Sequence, residues 1–134
     1  MRAAERYPLK ALELLRRHAE SVIQDVDIPL ANAAAFLAQL HAEVGITPVW
    51  VCPFRVTTDR YPLYRLRTDT PYVNFGFWDT VRSRQPDGHY NAIVERLVAR
   101  NDGKKSLYSR STFDEQAFWD AYDRRAYDAL KRDY

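Results

Sequence analysis

Apolar and polar residues alternate along Val22-Ile23-Gln24-Asp25-Val26-Asp27-Ile28, a β-branched run that predicts a strand ended by Pro29. Leu30, Ala33, Ala34, Leu37, Leu40 and Val44 then fall at helical spacing, and Gly45 suits the left-handed position after a helix. Residues 48–55 read as a second strand, in which Pro53 points to a sheet edge or a strand end. A third strand covers residues 72–78, where Gly76 marks a bulge or a close approach by another group. Tyr90, Ile93, Val94, Leu97 and Val98 predict a second amphipathic helix, stopped by Asn101-Asp102-Gly103. A short fourth strand is expected over 105–109. Thr112 and Glu115 then have the spacing of a capping box, opening a third helix with Ala117, Phe118, Ala121, Tyr122, Arg125, Ala129 and Leu130 along one side. Residues 56–70 and 79–88 are polar and turn-rich and read as loops. Ahead of this pattern, Pro8 opens a short helical stretch through Leu9, Leu12 and Leu15. It is set apart as a lead-in over 1–20, leaving 21–134 as one domain.

The order is β-α-β-β-α-β with flanking helices. It defines an α+β, ferredoxin-like fold: an antiparallel sheet with both crossover helices on one face. The other face is left open. Rich in aromatics, it needs a cover: a ligand, a partner domain, a second copy of the chain or nucleic acid.

Composition narrows the choices. A net charge of +2, with basic and acidic residues mixed along the chain, gives no reason to expect a polyanionic partner. The single cysteine, Cys52, excludes an intrachain disulfide framework and a cysteine-based zinc site. His18, His41 and His89 lack metal-ligand spacing. The start has no apolar signal region and no run reaches about 18 apolar residues. The expected compartment is the cytoplasm, with peripheral membrane contact left open. Nine Tyr, six Phe and three Trp give an aromatic-rich chain, most of it after residue 48.

Several stretches in collinear order resemble the sterol delta-24 reductase family. Gly45-Ile46-Thr47-Pro48-Val49-Trp50-Val51-Cys52-Pro53-Phe54 is similar to its G-I-x-P-L-W-L-C-P segment, and Tyr72-Val73-Asn74-Phe75-Gly76 to its following strand. Leu107-Tyr108 matches an L-Y before the last helix; Phe118-Trp119, Tyr122 and Tyr127 match a terminal F-W…Y pattern. The family belongs to the FAD-linked oxidases similar to vanillyl-alcohol oxidase. The resemblance therefore implies a flavoprotein, with this chain as the C-terminal domain that covers the flavin and shapes the substrate pocket. It implies FAD held mainly by a domain or subunit outside this chain, since four Gly and no Gly-rich phosphate loop are present. It also implies a hydrophobic small-molecule substrate. The isolated chain is then expected to be inactive.

Flavin chemistry needs a flat pocket, a hydride path and charge control at the ring edge. Asn74 and Gly76 share a strand face and are the candidate flavin contacts, Asn74 as a hydrogen-bonding group and Gly76 as a place where a ring meets backbone. Arg55, Lys104 and Lys105 are candidate cations for a reduced, anionic flavin. Trp50, Tyr72 and Trp78 are candidate substrate walls. Tyr72, Tyr108 and His89 are candidate proton donors. Asp25 and Asp27 alternate with Val26 and Ile28, so they point away from the helices.

Two rivals stand beside this reading. An RNA-recognition module has the same element order, and Phe75-Gly76-Phe77 matches part of its signature. Asn74 replaces the expected Gly, however, and Asp25 and Asp27 would repel phosphates. A ferredoxin-like interaction domain that dimerises through its open sheet is the other.

Overall fold

In the central strand, Val22, Gln24, Val26 and Ile28 are buried while Ser21 and Ile23 are exposed, so alternation alone assigns one face of the sheet to the interior. The computed structural model describes residues 18–134. Their order is β1 (His18–Pro29), α1 (Leu30–Glu43), β2 (Trp50–Phe54), a 3-10 turn (Pro62–Tyr64), β3 (Tyr72–Ser83), α2 (His89–Arg100), β4 (Lys104–Lys105), α3 (Glu115–Ala121) and α4 (Arg124–Asp133). The strands form one antiparallel sheet in the order β2-β3-β1-β4, the α+β ferredoxin-like arrangement.

Helices α1 and α2 cover the inner face. Phe36 and Leu40 of α1 and Val94 and Leu97 of α2 meet Val22, Val26, Phe75 and Phe77, and all eight are 2% exposed or less. Burying each such side chain contributes about 1.5–3 kcal/mol. Phe36 and Phe75 lie with ring centroids 5.2 Å apart. Helix α1 ends as expected: Val44 and Gly45 both donate their N–H to the Leu40 carbonyl, and Gly45 has φ 75°.

The inner layer also holds a polar string. Helix α2 has no side-chain cap of its own at Gly88. The Glu20 carboxylate, reaching from β1, accepts the N–H groups of Tyr90 (3.1 Å) and Asn91 (2.8 Å). A carboxylate here meets the positive end of the helix dipole. The Asn91 amide donates to Glu20 (2.7 Å) and its oxygen accepts from Gln24 (2.7 Å). Gln24 in turn accepts from the Ser109 hydroxyl (2.8 Å). Among the described residues, no buried side-chain nitrogen or oxygen lacks a partner.

Four expectations are corrected. The third strand does not stop at Trp78 but runs to Ser83, because the early half of β1 supplies the ladder as far as His18↔Ser83. The loop expected over 79–88 is therefore confined to its second half. The fourth strand is two residues long rather than five: after Lys105 the backbone ladder to β1 goes one bond further, from the Ser106 N–H to the Asp25 carbonyl (2.9 Å), and side chains take over from there. Thr112 is not a helix cap. Its N–H and hydroxyl are both taken by the Glu95 carboxylate, and Asp114 caps α3 by accepting from Ala117 N–H (2.8 Å). The single C-terminal helix is broken at Tyr122, which is extended, and Asp123 caps α4 by accepting from Ala126 N–H (2.9 Å). The lead-in helix lies outside the described residues, and the last residues assigned to the lead-in, His18, Ala19 and Glu20, already belong to β1.

Candidate ligand-binding face

The residues that point away from the helices meet in register across three strands. Asp27 pairs with Asn74 and Asn74 with Cys52; Asp25 pairs with Gly76 and Gly76 with Trp50; Ile23 pairs with Trp78. Trp50 and Trp78 are 59% and 57% exposed, so the strand side presents two bare indoles. Gly76 lies between them. A Cβ added there would come within 2.5 Å of Asp25 Oδ1, 3.1 Å of Trp78 Cη2 and 3.4 Å of Trp50 Cβ. Glycine is thus the residue that lets the two rings and the carboxylate share this space.

Each face carboxylate is held by a tyrosine from outside the sheet. The Tyr108 hydroxyl donates to Asp25 Oδ2 at 2.9 Å. Partial burial first, then the hydrogen bond and the negative charge of Asp25, push its pKa up to about 12, against a weaker opposing hydrogen bond from Trp78. The Tyr64 hydroxyl donates to Asp27 Oδ2 at 2.9 Å and lies 3.2 Å from the Lys104 carbonyl. Asn74 Nδ2 donates to Asp27 Oδ1 at 2.9 Å. Burial pushes the Asp27 carboxyl above the ordinary aspartate range and the Asp25 charge adds to this; the Asn74 and Tyr64 hydrogen bonds oppose it. Burial likewise raises Tyr64, with the Asp27 charge adding to the effect. Lys104, paired with Asp27 in the ladder, lies over the Tyr64 and Tyr122 rings at 5.8 and 5.5 Å. Its ammonium is lowered, by burial first and by Arg65 after that, while Asp123 opposes the shift.

Of the residues singled out in the sequence, Trp50, Asn74, Gly76, Trp78 and Tyr108 come together on this face. Tyr72 is buried at its end, stacked 5.9 Å from Phe54, with its hydroxyl accepting the Arg67 N–H at 3.1 Å. Arg55 is exposed just past β2. His89 opens α2 in the helical layer, edge-on to Tyr90 at 5.0 Å. Lys105 is on the inner side: it pairs with Val26 and its ammonium is 3.0 Å from Glu95 and 2.6 Å from the Arg110 carbonyl. Tyr64 was not anticipated. Its only trace in the sequence is that Leu63-Tyr64 repeats the dipeptide Leu107-Tyr108, and both tyrosines hold a face aspartate. Among the described residues no cluster of three or more His, Cys, Asp or Glu could hold a metal. No helix among them is long and apolar enough to cross a membrane.

The fold and this face define a ferredoxin-like α+β module with an open, aromatic sheet side. Comparison with known proteins then relates it to the Delta(24)-sterol reductases. The chain is 27% identical over 137 residues to that of Arabidopsis thaliana, covering 87% of this chain and 24% of the relative. It is 25% identical over 129 residues to that of Rattus norvegicus, covering 90% and 24%. To the Delta(24)-sterol reductase homolog of Caenorhabditis elegans it is 29% identical over 113 residues, covering 80% and 21%. The chain spans about a quarter of the length of these curated relatives. The similarity is weak, consistent among them, and fits a C-terminal portion of such an enzyme. No family model and no solved structure matches.

Proposed function

We propose that this chain is the C-terminal, substrate-covering portion of an FAD-dependent oxidoreductase acting on an apolar, sterol-like substrate. The observation that carries the reading is the pair of bare indoles, Trp50 and Trp78, which stand beside Gly76, whose own space is taken by the Asp25 carboxylate and the edge of Trp78. Their exposed surfaces suit a flat fused ring, which stacks on aromatic faces at no cost in hydrogen bonds. The similarity to Delta(24)-sterol reductases over most of the chain supports the same conclusion.

Bound FAD would supply the hydride. The residues of this chain bind, orient and exclude water. Trp50 and Trp78 wall the ring system. Asn74 gives its N–H to Asp27 and keeps its side-chain oxygen for a ring N–H or a substrate hydroxyl. Tyr108 holds its proton at neutral pH in the bond to Asp25, and serves as the proton donor on this face when its hydroxyl turns from that carboxylate to the substrate. Lys105 is committed to Glu95, so Lys104, over the Tyr64 and Tyr122 rings and paired with Asp27, and Arg55, just past β2, are the candidate cations that remain. The partner is an FAD-binding domain or subunit that covers the floor. Asp25 and Asp27 set this face against polyphosphate, which weighs against RNA.

The test is co-expression with an FAD-binding domain encoded beside this chain, followed by co-purification and a visible spectrum. Retention of the chain with the two flavin absorption bands is expected. A colourless chain that separates from that domain and retards RNA in a gel would overturn the reading.

A further inference from the structure

The C-terminal helices enclose a second apolar space, away from the sheet floor. A hollow of about 360 Å³ lies between the 3-10 turn and the two short helices, walled by Leu63, Leu107, Phe118, Trp119, Tyr122 and Tyr127. That volume is at the lower end of the range of small-molecule sites, about 300–1,000 Å³. The rings are braced against one another: Phe118 and Tyr122 have centroids 4.9 Å apart, and Trp119 and Tyr127 5.3 Å apart.

Two polar groups of the wall turn to the chain's own backbone. The Tyr122 hydroxyl donates to the Lys105 carbonyl at 2.6 Å. One oxygen of the Asp123 carboxylate caps α4 at the Ala126 N–H. The rest of the lining is leucine and aromatic ring, and Leu63 and Leu107 remain 41% and 47% exposed. A hollow of this make-up rewards a ligand that asks for no hydrogen bond. We infer that it is a binding site for a neutral apolar small molecule, aliphatic or fused-ring. The site is distinct from the Trp50–Trp78 floor and does not depend on the flavoenzyme reading.

The two sites share a ridge. In each of the dipeptides Leu63-Tyr64 and Leu107-Tyr108, the leucine lines the hollow while the tyrosine hydroxyl is bonded to a floor aspartate.

The chain has three tryptophans, and Trp119 is the one in the wall. In the W50F/W78F variant it is the sole indole reporter. Titration of that variant with the neutral dye N-phenyl-1-naphthylamine is expected to give saturable, one-to-one binding with quenching of Trp119 emission. Leu107→Asp or Leu63→Asp, each with unchanged far-UV circular dichroism, should weaken binding tenfold or more. The leucines stand on different segments, so Leu63→Asp carries the test should Leu107→Asp unfold. Loss of dye binding in W50F/W78F alone would move the site to the floor and overturn the inference. So would non-saturable uptake, or binding that both aspartate variants leave unchanged. A dimer that Leu63→Asp dissociates would assign the hollow to a second chain and overturn it equally.

Discussion

The ammonium of Lys105 lies 3.0 Å from a carboxylate oxygen of Glu95, and the two side chains are 0% and 4% exposed. Strand β4 and helix α2 are joined here through a charge pair in the inner layer. The Glu95 carboxylate also takes the Thr112 N–H and hydroxyl, tying the segment that leads to α3 to the same point. Removing one charge leaves the other buried and uncompensated, a loss of about 3–5 kcal/mol. Lys105→Met should lower stability by that order in urea unfolding. The double variant Lys105→Met/Glu95→Leu should recover part of it.

Two glycines sit against the strand bearing the face aspartates, and they should respond differently to a methyl group. At Gly76 the nearest obstacle is the carboxylate of Asp25, a side-chain end that can rotate. At Gly103 a Cβ would press on the Ile28 side chain, the Asp27 carbonyl at 3.0 Å and Val98 at 3.2 Å, in packed core and backbone. Overpacking of a core costs about 1–3 kcal/mol. Gly103→Ala is expected in that range by thermal unfolding, and Gly76→Ala below it. Gly76→Ala should instead displace Asp25 from Tyr108. The component of the tyrosinate absorbance titration that Tyr108→Phe removes should then fall from about 12 toward the ordinary phenol value.

Asp27 makes stability depend on pH in a defined direction. Its folded-state carboxyl is raised, chiefly by burial, so the folded chain holds that proton more firmly than the unfolded chain does. Its contribution is fully present below the ordinary aspartate value of 3.8 and is lost as pH rises through the folded pKa. Asp27→Asn keeps acceptance from Asn74 through its oxygen and can donate to the Tyr64 oxygen, while Tyr64 turns its proton to the Lys104 carbonyl. Stability of Asp27→Asn relative to the parent chain should therefore increase as pH rises from acid to neutral. A relative stability that falls over that interval in urea titrations would contradict the assignment.

The Tyr122 side chain links the C-terminal helices to β4 by a buried hydrogen bond, 2.6 Å to the Lys105 carbonyl. Tyr122→Phe leaves that carbonyl without its partner and should cost about 1–3 kcal/mol, measured as a lowered urea midpoint.

The element order was legible because both periods show where the core is. Val22, Val26 and Ile28 alternate, and Ala33, Leu40 and Val44 fall at helical spacing and are buried, although Leu30 and Ala34 of the same series are exposed and the buried Phe36 lies outside it. The direction of Asp25 and Asp27 followed from the same alternation. The far end of β3 was not legible: Asp79, Thr80 and Arg82 are exposed, and pairing with β1 holds them in the strand rather than any apolar pattern. Lys105 reads as a loop-edge cation until the register with Val26 turns it inward onto a glutamate ten residues earlier. Tyr64 reaches Asp27 across 37 residues from a segment with no periodicity, so no local pattern marks it.

The proposed cover of the Trp50–Trp78 floor is a planar ligand and the domain that brings it. Acrylamide quenching tests it most directly, in the Trp119→Phe background where only the floor indoles remain. Taken as the difference from the FAD-binding domain alone, quenching of Trp50 and Trp78 should fall severalfold when the chain is assembled with that domain and supplied with a Delta(24)-unsaturated sterol. Indoles that stay as accessible in that assembly as in the free chain would contradict the claim.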